Sequence, residues 1–213
     1  MLKKHFLWFG ILLSICLLTI AIRSYPGGSQ QDAHSIGFDW KQNYLSNLFS
    51  ERAMNGAENA SRSWAVVGWT LLCVTIALFF IDFSRKIPSK HAAMMIRYTG
   101  VAAMAFAIFI VTSYHDTMLT ISGALVLLSL FYITVFVFKS RLTYLKILAG
   151  ICILLFYFTN YLYYTRSRLN LLPVMQKITL LAGLIWLLYL HYFTKCEDFE
   201  RPSPASAQSG PGR

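Results

Sequence analysis

Charged residues are scarce in this sequence: they make up 13% of its 213 residues, whereas hydrophobic residues make up 56%. Soluble domains carry roughly 25% charged residues, so this composition indicates a chain for which lipid is the solvent. The sequence also lacks a glycine-rich phosphate loop and a basic patch outside its apolar runs. These absences argue against a nucleotide site and against nucleic acid as a partner.

Closely spaced cysteine pairs are also missing. No Cys-x-x-Cys motif occurs, and three of the four cysteines lie inside apolar runs, where a thiol behaves as a small hydrophobe. This pattern excludes a disulfide framework and a thiol redox site. We therefore expect no redox cofactor. The cysteines are Cys16, Cys73, Cys152 and Cys196.

Six long apolar runs separate the polar segments. Each has the length of a membrane-spanning helix, about 20 residues, and none shows the alternation of a barrel strand. Arg23 is incompatible with the small residues of a signal-peptide cleavage site after the first run. We therefore interpret the first run as an uncleaved membrane anchor. The sequence therefore predicts an all-α membrane bundle over residues 1–195, followed by a disordered cytoplasmic tail over 196–213. The predicted spans are residues 6–22, 63–82, 93–114, 117–138, 146–165 and 176–194.

The basic residues predict an orientation for these spans. Of the 19 Lys and Arg residues, seven fall in the connections on the side away from the N-terminus, and the remaining twelve fall on the N-terminal side. Basic residues concentrate on the cytoplasmic side of membrane proteins. We therefore expect an integral protein of the bacterial cytoplasmic membrane with both termini in the cytoplasm. The net charge of +10 then reflects membrane orientation.

The connection between the first two spans is the longest one. Within it, apolar residues at helical spacing predict a short amphipathic helix over residues 40–50, which lies either on the membrane interface or over the mouth of the bundle. Asp39 precedes this helix, and Gln42 follows three residues later, as in a capping box. The structural interpretation of Asp39 is a helix cap, and the functional one is a ligand or proton-handling group.

The loop motif resembles a known family. It is similar to the loop of the DUF998 family of small polytopic membrane proteins. The similar residues are Tyr25-Pro26-Gly27-Gly28, then Asn43-Tyr44-Leu45-Ser46-Asn47-Leu48, then Asn55-Gly56 and Asn59. Gln176-Lys177 at the start of the last span is similar to that family's Gln-Arg, and His115-Asp116 lies near its usual histidine. The resemblance extends over residues 7–193. It implies a six-helix membrane fold and no established activity.

Several polar residues are expected to gather at the outer mouth of the bundle. The fifth span places Asn160 and Tyr164 on one helical face. The connection between the fifth and sixth spans carries positive charges on the outer side, although most Lys and Arg residues lie on the cytoplasmic side. The guanidinium group of arginine can donate two parallel hydrogen bonds to a phosphate group. We therefore expect membrane lipids as partners, bound through an anionic headgroup. The candidate binding residues are Asn43, Ser46, Asn160, Tyr164, Arg166, Arg168, Gln176 and Lys177.

Two alternatives remain open at this point. The first is a membrane-embedded lipid hydrolase or transferase that uses Asp39, His115 and Asp116 as acid, base or ligand groups. Only His34 and His115 among the five histidines are expected at the outer mouth, so we expect no metal site. The second alternative is a small transporter, which the absence of charged residues in the middle of the spans disfavours. No protein partner is indicated.

Overall fold

A computed structural model describes residues 2–200, including side chains from residue 5 onward. Six α-helices in this range are long and apolar enough to cross a membrane, and the range contains no strand beyond two isolated bridges. The predicted membrane bundle is thus confirmed, including the third span with its Arg97. The helices are α1 (Leu2–Arg23), α2 (Arg62–Ser84), α3 (Lys90–Ile108), α4 (His115–Lys139), α5 (Thr143–Thr165) and α6 (Leu172–Phe193).

Helices α1 to α4 each pack on the next helix in the chain, and the connections after α2 and α3 are short. Helix α6 returns to contact α1 and α2, while α5 packs mainly on α6 and more lightly on α4. One end of the bundle carries residues 24–61, 112–114 and 166–171, and we call it the loop face. The other end carries the start of α1, the connections 85–89 and 140–142 and the end of α6, and we call it the terminal face.

Small residues allow the first four helices to approach closely. A Cβ atom added at Gly100 of α3 would lie 2.2 Å from the ring of Phe80 on α2. Ala103 and Ala107 are buried, and their carbonyls accept hydrogen bonds from Ser122 and Trp69 on the neighbouring helices. The small residues of α3 therefore form a packing surface, as is common between membrane helices.

The terminal face is fastened by a lysine. Lys86 Nζ donates to the carbonyl oxygens of Leu190, His191 and Thr194, at 3.2, 2.8 and 2.9 Å. These carbonyls belong to the end of α6, where a cation satisfies orphan acceptors. Burial lowers the pKa of Lys86, while the neighbouring Asp82 carboxylate acts in the opposite direction.

The tail differs in part from the prediction. Cys196–Phe199 form a 3-10 helix in the segment predicted to be disordered, and Phe199 is buried with its ring 5.7 Å from that of Phe83. One aromatic side chain therefore anchors the chain beyond α6, because Phe83 gives it an apolar surface to cover. The rest of the predicted tail lies outside the described residues.

The loop of residues 24–61 folds over its end of the bundle and forms a cap. Tyr25, Leu48 and Phe49 are buried against Ala21 of α1 and Ala65 of α2. The loop therefore packs on the bundle, the second of the two placements that its apolar pattern allowed.

The predicted helix over 40–50 is much shorter in the structure. It is replaced by a turn and a 3-10 helix, Leu45–Phe49, and Trp40 lies exposed. The Asn43 side chain accepts from the Asp39 N–H and donates to the Gly28 carbonyl, both at 2.9 Å. These side chain–backbone bonds fold the segment into a turn, overriding its helical pattern.

Candidate functional site

The cap is fastened to α6 by two polar side chains. Lys177 Nζ donates to the carbonyl oxygens of Asn43 and Pro173, at 2.6 and 2.8 Å, and lies 5.5 Å from the ring centre of Phe38. Gln176 accepts from the Leu45 N–H at 3.1 Å. Both residues were predicted to bind a headgroup, and in the structure they serve to hold the cap.

Asn59 performs a similar task beside α2. Its side-chain nitrogen donates to the carbonyls of Asn47, Leu48 and Ser50, and its oxygen accepts from the Ser61 N–H and hydroxyl. The side chain is buried. The amide thus joins the 3-10 helix of the cap to the start of α2.

Asp39 orders the turn after it. Its carboxylate accepts from the N–H groups of Lys41 and Gln42, at 2.7 and 3.2 Å. The capping-box prediction is half right: Asp39 caps a turn, but Gln42 accepts instead from the Ser29 hydroxyl. The reciprocal bond to the Asp39 N–H comes from Asn43. Asp39 therefore has a structural role that accounts for its position.

A second polar cluster lies at the start of α4. His115 Nδ1 lies 2.9 Å from Asp116 Oδ1, and the same oxygen accepts from the Tyr163 hydroxyl at 3.0 Å. Asp116 is exposed, with 83% of its side-chain surface accessible. A carboxylate that holds one ring nitrogen of a histidine fixes the tautomer and orients the other nitrogen. The cluster thus has the composition of an acid–base pair.

The structure brings together only two of the three candidate catalytic residues. Among the described hydrogen bonds and ion pairs, none joins Asp39 to His115 or Asp116. Asp39 belongs to the cap beside Lys177, which it influences electrostatically, whereas His115 and Asp116 belong to the α4–α5 side. The third residue of the cluster is Tyr163. The helical-face pattern did not predict it, because Tyr163 lies beside the face of α5 that carries Asn160 and Tyr164. No group of three or more residues suited to holding a metal occurs within the described range.

A groove runs between α4 and α5 from this cluster toward the middle of the bundle. It has a volume of about 360 Å³ and is open along one side. Asn160 and Tyr164 line it, which confirms that they share a face. The Tyr164 hydroxyl lies 3.4 Å from Thr120 Oγ1, and the Asn160 side chain donates to the Phe156 carbonyl at 2.8 Å. The full lining is Thr120, Gly123, Ala124, Leu127, Phe156, Tyr157, Asn160, Tyr161 and Tyr164.

The connection between α5 and α6 presents two arginines just beyond the loop-face end of α5. Arg166 and Arg168 are exposed and both adopt left-handed backbone conformations, with φ of 50° and 49°. Non-glycine residues rarely adopt this region without a reason. Arg166 interacts electrostatically with Asp116 and Tyr163, so it belongs to the same neighbourhood as the polar cluster.

The cap reaches this connection through Tyr44. Its hydroxyl lies 3.5 Å from the carbonyl oxygen of Leu169, and burial raises the pKa of this phenol, which keeps it a hydrogen-bond donor. Ser46, another predicted binding residue, lies half-buried in the 3-10 helix. The predicted headgroup residues thus fall into two groups, one in the cap or bound to it from α6 and one along α5 and the connection that follows it.

Comparisons with known proteins found little. No family model matches the chain, and no solved structure does. A segment of 71 residues is 30% identical to an undecaprenyl-diphosphatase from Dinoroseobacter shibae. This segment is 33% of the present chain and 27% of that protein, so the chain spans about a quarter of the length of the relative that it matches.

Replacing Lys177 by Met is expected to loosen the cap. The substitution removes two charge-assisted hydrogen bonds and leaves the carbonyls of Asn43 and Pro173 without this donor, so the free energy of unfolding should fall by about 2 kcal/mol. Thermal unfolding in detergent, together with the rate of tryptic cleavage within residues 24–61, measures the effect. The matched control is Lys41→Met, because Lys41 is exposed. Equal stability and equal cleavage in both variants would contradict the clamp.

Proposed function

We propose that this integral membrane protein binds an anionic lipid at its loop face, with the headgroup at Arg166 and Arg168. The observation that carries the proposal is the exposed Arg166 close to Asp116 at the loop-face end of α5, with the exposed Arg168 two residues further along the same connection. Lys177 is excluded from the proposed contact set because two backbone carbonyls already occupy its ammonium. The nearby Asp116 contributes one negative charge, so two arginines leave the neighbourhood positive.

The known relative is compatible with this proposal. Its name identifies it as acting on undecaprenyl diphosphate, a molecule with an anionic headgroup and a long apolar chain. Such a molecule has the same two parts that the arginines and the groove would receive. Membership of the DUF998 family stays a prediction.

Neutralising both arginines tests the headgroup proposal. We expect Arg166→Asn with Arg168→Asn to lower retention of phosphatidylglycerol by about tenfold, because each charge-assisted contact contributes substantially to phosphate binding. Asparagine tolerates the left-handed backbone at these positions, so the fold is preserved. Quantitative mass spectrometry of lipid that co-purifies with the protein provides the measurement.

The matched control neutralises two other loop-face cations, with Lys41→Gln and Arg52→Gln. Phosphatidylcholine serves as the uncharged-headgroup comparison. Retention of phosphatidylglycerol that is equal in the arginine variant and in this control would refute the proposal.

We further propose that the loop face is extracytoplasmic, in a bacterial membrane. The excess of Lys and Arg at the terminal face supports this orientation. Cys196 is exposed there, so it reports the side directly when Cys16, Cys73 and Cys152 are replaced by Ser. A membrane-impermeant maleimide should leave Cys196 unlabelled in spheroplasts and label it after lysis. A His34→Cys variant that lacks the native cysteines should behave in the opposite way, and a reversal of the two patterns would refute the orientation.

A second candidate function is hydrolysis of the bound lipid's phosphate ester or anhydride. Two observations favour it: the contacts among His115, Asp116 and Tyr163, and the partial match to a diphosphatase. In this reaction His115 accepts a proton from water, whose oxygen attacks phosphorus. The bond from phosphorus to the bridging oxygen breaks. Phosphate is released, the rest of the lipid leaves with the bridging oxygen, and the protonated His115 returns its proton to that oxygen.

Phosphate release from undecaprenyl diphosphate in detergent tests this second candidate. His115→Ala should lower the rate by about 10²-fold or more, as removal of a general base does. His34→Ala, which removes the other loop-face histidine, should leave the rate unchanged. Release by the wild-type protein that does not exceed release by His115→Ala would eliminate this function and leave the binding proposal intact.

A further inference from the structure

One glycine that lines the groove between α4 and α5, Gly123, does not serve helix packing. A Cβ atom added at Gly10, Gly68 or Gly100 would lie 3.0 Å or less from the nearest atom of a neighbouring helix. At Gly123, by contrast, an added Cβ would meet nothing within 4 Å. Gly123 therefore lines open space in the groove, where the two helices pack only lightly.

The groove has apolar walls along most of its length. Leu127 and Phe156 line its deep part, and the exposed rings of Tyr157 and Tyr161 flank it. From Thr120 to Leu127 it extends about 10 Å along α4, within the half of the membrane nearer the loop face. This length is about a third of the hydrocarbon thickness of a bilayer, so the groove suits part of one lipid chain.

Polarity increases toward the loop face. Asn160 lies one turn deeper than the contact between Tyr164 and Thr120, and Arg166 follows where α5 ends. A chain that enters from the bilayer would thus have its apolar part beside Leu127 and Phe156 and its anionic end near Arg166. The charge of the arginines selects a lipid with a negative headgroup as the occupant.

We propose that the α4–α5 groove holds the headgroup-proximal part of a hydrocarbon chain of an anionic lipid. This inference rests on the proposed headgroup site, because the same lipid occupies both. It assigns to Gly123 the role of keeping the slot open. It also assigns to Asn160 and Tyr164 the polar boundary between chain and headgroup.

Filling the slot at Gly123 tests the inference. The probe is phosphatidylglycerol that carries a diazirine on its acyl chain near the glycerol, in nanodiscs of unlabelled phosphatidylcholine. After photolysis, mass spectrometry should find adducts concentrated on residues 120–127 and 156–164 of the wild-type protein. Gly123→Leu should reduce these adducts by at least about fivefold, because its side chain overfills the groove.

The matched control is Gly150→Leu. Gly150 of α5 also has no neighbour within 4 Å of an added Cβ, but it does not line the groove. Both substitutions favour the helix over glycine, so both variants should fold, and Gly123→Ala should give a smaller reduction of the same kind. Adducts that persist in Gly123→Leu would overturn the inference, as would wild-type adducts spread evenly over the exposed apolar face of α1.

The double arginine variant separates this inference from the proposed function. Loss of adducts in Gly123→Leu with full retention in Arg166→Asn/Arg168→Asn would keep the chain slot and reject the headgroup site. Loss in the arginine variant with full retention in Gly123→Leu would keep the headgroup site and reject the slot. Loss in both variants supports the two together.

Discussion

The cap places backbone N–H and C=O groups against the end of an apolar bundle, and groups buried in this way must find partners. Four side chains supply many of them. Asn43 and Asn59 act within the cap, while Gln176 and Lys177 reach it from α6. The position of the loop on the bundle depends on these bonds, because the apolar contacts of Leu48 and Phe49 alone have no direction. The contact between Tyr44 and the α5–α6 connection follows from that position.

The loop motif that carries the resemblance to a known family therefore has a structural explanation. Gly28 adopts a left-handed backbone, and a Cβ atom there would lie 2.3 Å from the backbone nitrogen of Asn55. Tyr25 accepts from the Met54 N–H, and Asn43 and Asn59 are buried within the cap. These residues build the loop. The candidate site lies elsewhere, along α4 and α5, which pack on each other more lightly than any other two helices consecutive in the chain.

The spans could be predicted from the sequence because bilayer thickness imposes a length and apolar character on each helix. The face shared by Asn160 and Tyr164 could be predicted because helical spacing is local. The neighbours of Asp39 and His115 could not, since spacing within a segment does not say which sector of the bundle it covers. The length of the helix predicted over residues 40–50 was overestimated for a related reason. Its apolar spacing was visible, whereas the bonds from Asn43 to Gly28 and from Gln176 to Leu45 join distant parts of the chain.

Helix α6 is fastened by a lysine at each end, Lys177 beneath the cap and Lys86 at its final carbonyls. During synthesis both lysine contacts require α6 to have emerged, and Lys177 also requires the loop to have folded. Docking of α6 therefore follows folding of the cap: the hairpin of α5 and α6 enters the membrane and is then held by residues made long before it.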